Sequence, residues 1–512
     1  MNLIDIAWMP IVALINGLQG LFLRHQGAYK FLLVNQLEGF RWHVSKHRAA
    51  RLADKAIHGV PAYADYYKEL GGKRISSSNF DLIPVTDKES YVKKYRLEDR
   101  VWGGKLPSRG VTVDESSGST GSPTNWVRGW DERMNTKELL QLSFHSTFDK
   151  GEIFAFNAFV LGAWATGMIV SQSLGEVCIM KSTGSDAQKI LDTMKYFGKG
   201  YHYVIMGYPP FLKSLIDDNE FNWTGYNVDA IYGGEAITEQ LRDYLSQTFG
   251  KVIGSYGASD LEVNIGYEND VTIAIRKALL EDPNLRKELV KDFGSLPSVF
   301  QYNPLGYYVE TNEDNELLFT INRTANITPK VRYNIHDIGY KMRYKEVEKA
   351  LIRAGRIDII ENIKKDGKRV LNLPFLFHYG RSDMSINYFG AKVTPEGIRQ
   401  ALNAIPELSP HLQSFQGFNA ENKHKDTLMV ICVELARGAP VDTFNAKDLA
   451  NQFSEELGKL NGDFYKMLST AKEHLRPEIR LYEHETGPFA GGHKKIKHSY
   501  VATAIQYDDI PS

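Results

Sequence analysis

Between Ile153 and Lys251 short apolar runs alternate with helical stretches, and no other feature of the chain limits its fold so strongly. Phe154–Leu161, Tyr203–Met206, Val228–Tyr232 and Val252–Ser255 are the strand-like runs, while Ala187–Gly198, Phe211–Asp217 and Glu239–Phe249 read as helices. Strand, helix, strand at this spacing predicts a mostly parallel, doubly wound sheet. Ligands of such sheets sit outside the carboxyl ends of the strands. Two polar clusters fall there: Gly233-Gly234-Glu235 follows Val228–Tyr232, and Tyr256-Gly257-Ala258-Ser259-Asp260 follows Val252–Ser255.

Upstream, the short strand Val111-Thr112-Val113 runs into Ser116-Ser117-Gly118-Ser119-Thr120-Gly121-Ser122-Pro123-Thr124, a stretch of hydroxyls and glycines with no large side chain. Backbone N–H groups and hydroxyls at such close range suit phosphate oxygens. The stretch does not fit the nucleotide loop G-x-x-x-x-G-K-[ST], because no lysine follows Gly121. Taken alone, it also reads as a flexible Ser/Gly linker.

At 512 residues the chain has room for two to four domains, and 43% hydrophobic with 24% charged residues is the composition of a globular protein with large cores. Basic and acidic residues number 61 and 62, so no global field favours nucleic acid or anionic lipid. Two cysteines, Cys178 and Cys432, give neither a metal-ligand spacing nor a disulfide framework, and a reducing cytoplasm is expected. The apolar run Ile6–Ile15, followed by Leu18 and Leu21–Leu23, lacks a basic lead and a cleavage pattern, which argues against a secretory signal. Asp5, Pro10, Asn16 and Gln19 interrupt it too often for a spanning helix. A helix packed on the body is expected, with a peripheral membrane contact through residues 1–23 as the alternative. The sequence leaves the oligomeric state open.

Gly27–Asp99 is mostly helical in pattern, and Ile83–Asp87 reads as a loop capping a helix from Lys88. Leu279–Val290 reads as a charged surface helix, and Tyr307–Glu310 with Glu316–Ile321 as a hairpin around Asn312–Asn315. Beyond Gly380-Arg381-Ser382-Asp383 a smaller α+β unit is expected, with helices at Pro395–Ala404 and Asp448–Leu457 and a strand at Thr427–Leu435.

The Ser/Gly stretch, the Gly-Gly-Glu, the Tyr-Gly-x-Ser-Asp, the Asp337 loop and the Gly380-Arg381 loop occur in the order seen in the adenylate-forming superfamily of acyl-CoA synthetases, luciferases and peptide-synthetase adenylation domains. SSGSTGSPT, Glu316–Thr320, Arg332-Tyr333 before Asp337, and Gly380–Met384 through Gly390, Val393 and Pro395 look most like the phenylacetate–CoA ligase branch. The resemblance spans about Ser116 to Lys497. It implies an α/β protein with a large, doubly wound, mixed-sheet N-terminal domain over residues 1–380, of which 1–100 are mainly helical, and a small mobile α+β lid over 381–512.

The activity so implied is attack of a small carboxylic acid on the α-phosphate of ATP, giving acyl-AMP and pyrophosphate, followed by transfer to coenzyme A. Transfer to an amine or a carrier-protein thiol is an open alternative, and so is a non-catalytic nucleotide-binding relative. By resemblance, Ser116, Ser117, Gly118, Ser119, Thr120, Gly121 and Thr124 would cradle phosphates. Gly234, Glu235, Tyr256, Gly257 and Ser259 would line the nucleoside site, with Asp337 on the ribose hydroxyls and Arg381 on ribose or phosphate oxygens. Asp260, where the family usually has glutamate, would hold Mg²⁺, with Glu262 as a nearby substitute. Asp383 would be the hinge of the lid and Gly390 would let the pantetheine arm of CoA pass. Lys495 is the first candidate for the lysine at the α-phosphate, followed by Lys494 and Lys497. Trp164 and Tyr208 would wall the acyl pocket.

Overall fold

The computed structural model describes residues 7–14, 37–68, 74–115, 124–148, 151–217, 221–234, 236–291, 293, 296–381, 386–388, 391–421, 427–462, 464–465, 468, 476–490 and 501–506. Strands β1 (Thr112–Glu115) and β2 (Asn125–Arg128) pair antiparallel as a separate sheet, with Glu115 opposite Asn125. The strand expected at Val111–Val113 is thus one arm of a hairpin and does not enter the main sheet. Its partner arm carries buried Trp126, Val127 and Arg128, which hold the hairpin to the body.

The main sheet has eleven strands: β3 (Ile153–Asn157), β4 (Ile179–Ser182), β5 (His202–Gly207), β6 (Asn227–Gly233), β7 (Val252–Tyr256), β8 (Gly266–Tyr267), β9 (Ser298–Tyr302), β10 (Tyr307–Thr311), β11 (Glu316–Ile321), β12 (Tyr333–Met342) and β13 (Phe375–Arg381), in the order β10-β11-β12-β13-β9-β8-β7-β6-β5-β3-β4. Neighbours from β4 to β7 are parallel, and each is reached through a helix: Ala165–Leu174, Ala187–Phe197, Pro209–Asp217 or Glu239–Leu245. Both faces are covered, as the period of two along a strand requires. Phe154, Phe156, Tyr203 and Ile205 enter one core, and Ile153, Ala155, Val204 and Met206 enter another. From β7 onward every pairing in this sheet is antiparallel, including the expected hairpin β10–β11. The sheet is therefore mixed, with the parallel half confined to the segment where strands and helices alternate.

The helix expected over Leu279–Val290 is two helices, Asp270–Glu281 and Pro283–Leu289. Pro283 cannot continue the first, and Asp282 caps the second by accepting from the N–H groups of Asn284 (2.9 Å) and Leu285 (3.0 Å). Leu279, Leu285 and Leu289 are buried, so this segment packs one face into the core beneath its charges. Toward the N-terminus, the helices Glu38–Gly59 and Pro61–Tyr66 cover β10 and β11. A helix over 7–14 lies on the first of these through Trp8, whose ring stacks on His43 and His47. Between 76 and 104 only short helical turns occur, one of them capped by Asp87 through Ser90. Among the described residues no helix is long and apolar enough to cross a membrane.

A smaller C-terminal unit follows, with the hairpin β14 (Ile386–Tyr388) and β15 (Ala391–Val393) and a sheet of β16 (Leu412–Glu421), β17 (Thr427–Leu435), β18 (Glu478–Tyr482) and β19 (Val501–Gln506) in the order β18-β17-β16-β19. The helices Pro395–Asn403 and Ala446–Leu460 pack on it around a core of its own, from Ile386 to Ile479. The molecule is a mixed α/β protein with a large N-terminal and a small C-terminal domain.

Candidate active site

The carboxyl ends of the parallel strands carry the loops in which the candidate residues fall. Phe159 follows β3, Tyr208 follows β5, Gly234 follows β6 and Gly257 follows β7. Tyr208 meets Phe159 edge-on at 5.1 Å between ring centroids. Gly234 has φ +83°, and a Cβ there would lie 2.8 Å from Cε1 of Tyr208, so only glycine fits the turn and the tyrosine together. Trp164 is half-buried at the start of the helix Ala165–Leu174, and its backbone bridges to Glu115. The N–H of Glu115 donates to the carbonyl of Ala163 at 2.8 Å. The end of β1 therefore sits beside the loop that follows β3.

The loop after β7 is folded back on itself: Ala258 N–H donates to Glu262 O (3.0 Å) and Ile265 N–H to Tyr256 O (2.8 Å). A Cβ on Gly257 would run into the carbonyls of Val263 and Glu262, which explains the glycine. Arg128, 4% exposed, ties this loop to the β1–β2 hairpin. It donates to the carbonyls of Leu261 (2.6 Å) and Ser259, and pairs with Asp114 (3.4 Å) and Glu132 (3.1 Å). The two arms that bracket the Ser/Gly stretch are thereby fixed against the loop that carries Asp260. Thr124 stands at the entry to β2, half-buried.

Asp260 accepts a hydrogen bond from Tyr333 Oη at 3.1 Å and is half-buried. Glu262, the substitute considered for the metal, is committed elsewhere. It is buried against Arg323 and accepts from Tyr307 Oη and from Asn326 Nδ2 (3.2 Å). Burial alone would raise its carboxyl, but the Arg323 charge and these hydrogen bonds hold it below the usual glutamate value. Among the described residues no group of three or more His, Cys, Asp or Glu could hold a metal. Mg²⁺ bound with a nucleotide does not need one, since one or two carboxylates plus phosphate oxygens suffice, and Asp260 offers a carboxylate of that kind.

Asp337, 5% exposed, lies on β12 facing the end of β7. Tyr256 Oη donates to its Oδ2 at 2.6 Å, and Nε2 of His378, on β13, is 3.2 Å from the same oxygen. The Tyr256 ring packs against His378 at 4.9 Å and Phe300 at 5.4 Å. Opposite Asp337 in the β12–β13 register stands the backbone of Arg381. His336, just before Asp337, holds φ +62°, with its N–H on Asn334 Oδ1 (2.7 Å) and its ring Nδ1 3.0 Å from Glu316. A non-glycine residue held in that region marks a chain forced to turn at a point of function or packing.

Two residues of this region carry no motif. His378 reaches Asp337 only because β13 pairs with β12. Lys330 is 5% exposed, with Nζ 4.1 Å from the centroid of the Trp126 ring and 4.5 Å from that of Tyr333. Burial pushes its ammonium down to about 7 against the attraction of Asp260, with Arg128 and Arg100 pushing the same way as burial.

The structure thus brings together Tyr256, Asp337 and the backbone of Arg381, and separately Asp260, Ser259, Gly257 and the flanks of the Ser/Gly stretch. Ser116, Ser117, Gly118, Ser119, Thr120, Gly121, Glu235, Asp383, Gly390, Lys494, Lys495 and Lys497 lie outside the described residues.

No family model and no curated protein matches the sequence. Solved structures do match. A 2-hydroxyisobutyryl-CoA ligase in the postadenylation state, in complex with 2-HIB-AMP, superposes with a TM-score of 0.64 at 12% identity, over 91% of this chain and 90% of that one. The same ligase with 2-HIB-AMP and CoA in the thioesterification state gives 0.51 at 13% identity over 91% and 90%, and its open conformation gives 0.51 at 13% over 90% and 91%. The chain has the fold of the adenylate-forming acid ligases, with their large N-terminal and small C-terminal domains.

Proposed function

We propose that the protein activates a small carboxylic acid with ATP and then passes the acyl group to coenzyme A. The observation that carries this reading is the hydrogen bond between Tyr256 and Asp337, 81 residues apart, formed at the carboxyl edge of the sheet beside the loop of Asp260. A buried carboxylate presented beside an aromatic ring suits a ribose and its base, and the neighbouring hydroxyl-rich stretch suits phosphates. The acid-ligase fold fits the same assignment.

In the first half-reaction a carboxylate oxygen of the acid attacks the α-phosphorus. The bond to the bridging oxygen breaks, and its electron pair leaves on pyrophosphate. The chain's task is positioning and charge stabilisation. Asp337 accepts from the ribose hydroxyls and Gly234 lets the backbone approach the base. The stretch Ser116–Thr124 donates to the phosphates, and Arg381 adds a cation at ribose or phosphate. Mg²⁺, held by Asp260, supplies neutralisation of phosphate charge when bound. Lys495, with Lys494 and Lys497 next in line, serves the α-phosphate. In the second half-reaction the thiol of CoA attacks the acyl carbon and AMP leaves, with Asp383 as the pivot of a lid beginning at 381 and Gly390 lining the pantetheine path.

The phenylacetate–CoA ligase-like branch is proposed from the threonine-containing stretch, and a cytoplasmic setting from the two free cysteines. ATP–pyrophosphate exchange across a panel of aryl, fatty and amino acids tests the reading. At least one acid is expected to stimulate exchange and, with CoA added, to yield a thioester. Acid-dependent exchange without thioester transfers the reading to an amine or carrier thiol acceptor. Exchange with none of the acids, in a protein that still binds AMP, overturns catalysis.

A further inference from the structure

The helix over 7–14 reads Ala-Trp-Met-Pro-Ile-Val-Ala-Leu, without one charged, hydroxyl or amide side chain. A helix that is apolar all round is ordinarily buried all round. Here only Val12 is buried and Trp8 is half-buried, while Met9, Ile11 and Leu14 stand in the open, Leu14 at 61% exposure. Trp8 lies against Phe40 (5.7 Å between ring centroids), His43 and His47, which share one face of the helix Glu38–Gly59. Leu37 and Phe40 are exposed at the start of that helix and extend the apolar surface. Five large apolar side chains open on two adjoining elements exceed the scattered exposure of an ordinary surface and mark an interaction face.

The charge beside this face is of one sign. At steps of three and four residues the stripe under Trp8 runs from Phe40, His43 and His47 to half-buried Arg51 and exposed Lys55. The helix carries five Lys and Arg against two acids, Glu38 and Asp54. Both acids are matched by cations from elsewhere in the chain, Glu38 by Arg343 (3.1 Å) and Asp54 by Arg74 (2.8 Å). Lys46 is paired with Asp81 (3.3 Å), and among the described residues no such pair engages Arg51 or Lys55. The chain as a whole has a net charge of −1, so this basic stripe is local. We propose that the face docks on an anionic lipid surface, with Met9, Ile11, Leu14, Leu37 and Phe40 entering the boundary between headgroups and acyl chains and Arg51 and Lys55 resting on lipid phosphates. Apolar side chains rimmed by cations are what such a surface takes. A second copy of the chain in a two-fold contact would cover the apolar residues but set each basic stripe against its like, so lipid satisfies both halves of the face and a copy only one. The contact is peripheral, and it stands apart from the adenylation reading.

Flotation of the full-length protein with vesicles of phosphatidylcholine alone, and of phosphatidylcholine mixed with phosphatidylserine, tests the assignment in wild type, Ile11→Ser/Leu14→Ser and Arg51→Gln/Lys55→Gln. These side chains are exposed or half-buried, so both variants are expected to melt with wild type. Wild type is expected to float with the anionic vesicles and much less with the neutral ones. The serine pair is expected to bind the anionic vesicles about tenfold more weakly or worse, and the glutamine pair to lose the preference for anionic lipid together with its sensitivity to salt. Should the serine pair lower the melting temperature, Phe40→Ser on the neighbouring helix replaces it, with a loss of binding again expected. No flotation with either vesicle, equal binding to both, or binding untouched by the serine substitutions overturns the proposal. A wild-type dimer in sedimentation velocity that the same substitutions dissociate overturns it too, since a second copy then covers the face.

Discussion

At the scale of single residues, the region of Asp260 pairs a half-buried carboxylate with a nearly buried amine, and the amine leaves a signature in stability. Lys330 holds its proton in the unfolded chain up to the ordinary lysine value of 10.5 but in the folded protein only to about 7. Between these values the unfolded state binds more protons, so stability rises with pH, while below about 7 the burial of the charge is felt in full. The groups facing it are Asp260 and Glu132, which favour the charge, and Arg128 and Arg100, which oppose it. Lys330→Met removes this dependence. Its melting temperature is expected to exceed that of wild type most below pH 7, with the gap closing toward pH 10, as measured by thermal denaturation across that range. Tyr256→Phe removes one donor from the buried Asp337 carboxylate. A hydrogen bond to a charged group contributes about 1.5–3 kcal/mol, so chemical denaturation should show a loss of that size, together with weaker AMP binding. Motif order singled out Tyr256 and Asp337, and the fold brings the two into hydrogen-bond contact. It did not single out His378, because only the pairing of β12 with β13 places it there. Lys330, in Thr328-Pro329-Lys330, reads as any surface lysine until Trp126 and Tyr333 close over it.

At the scale of elements, the hairpin that brackets the Ser/Gly stretch is positioned by Arg128. Its guanidinium joins β2 to the Asp260 loop and neutralises Asp114 and Glu132, whose carboxyls burial raises above their usual values. Breaking a buried pair by removing one partner typically costs about 3–5 kcal/mol. Arg128→Met is expected to lower stability by an amount in that range and to reduce acid-dependent exchange further than folding alone explains, read at a temperature where the variant remains folded. Glycine acts at the same scale. Gly257→Ala would drive a methyl into the carbonyls of Val263 and Glu262 and displace the loop of Asp260 beside Tyr256, so loss of exchange together with weaker AMP binding is the expected result, read by exchange assay and calorimetry. The short strand expected at Val111–Val113 is present, but its antiparallel partner was not legible, since a strand ending in a small-residue loop looks the same from sequence whatever it pairs with.

At the scale of the whole molecule, the large and small domains have separate hydrophobic cores, and the segment between them carries Asp383. A pivot there needs backbone freedom, which proline removes. Asp383→Pro is expected to keep single-turnover release of pyrophosphate and to lose thioester formation by tenfold or more, as read by separate assays of the two half-reactions. Equal loss of both would place the pivot elsewhere.

The sequence alone determined the parallel half of the sheet, because alternating strands and helices leave few other arrangements, and it picked out the loops at that sheet's carboxyl edge because their residue types suit phosphate and ribose. It could not show that the sheet continues as six antiparallel strands beyond β7, since short polar connections do not name their partners. It ranked Asp260 ahead of Glu262, but only the tertiary structure shows that the second is absorbed by Arg323, Tyr307 and Asn326 while the first bonds Tyr333. These two acids stand two positions apart and look alike in the chain. Burial and long-range pairing made them different, and the same long-range packing turned an ordinary lysine at 330 into a buried amine between the rings of Trp126 and Tyr333.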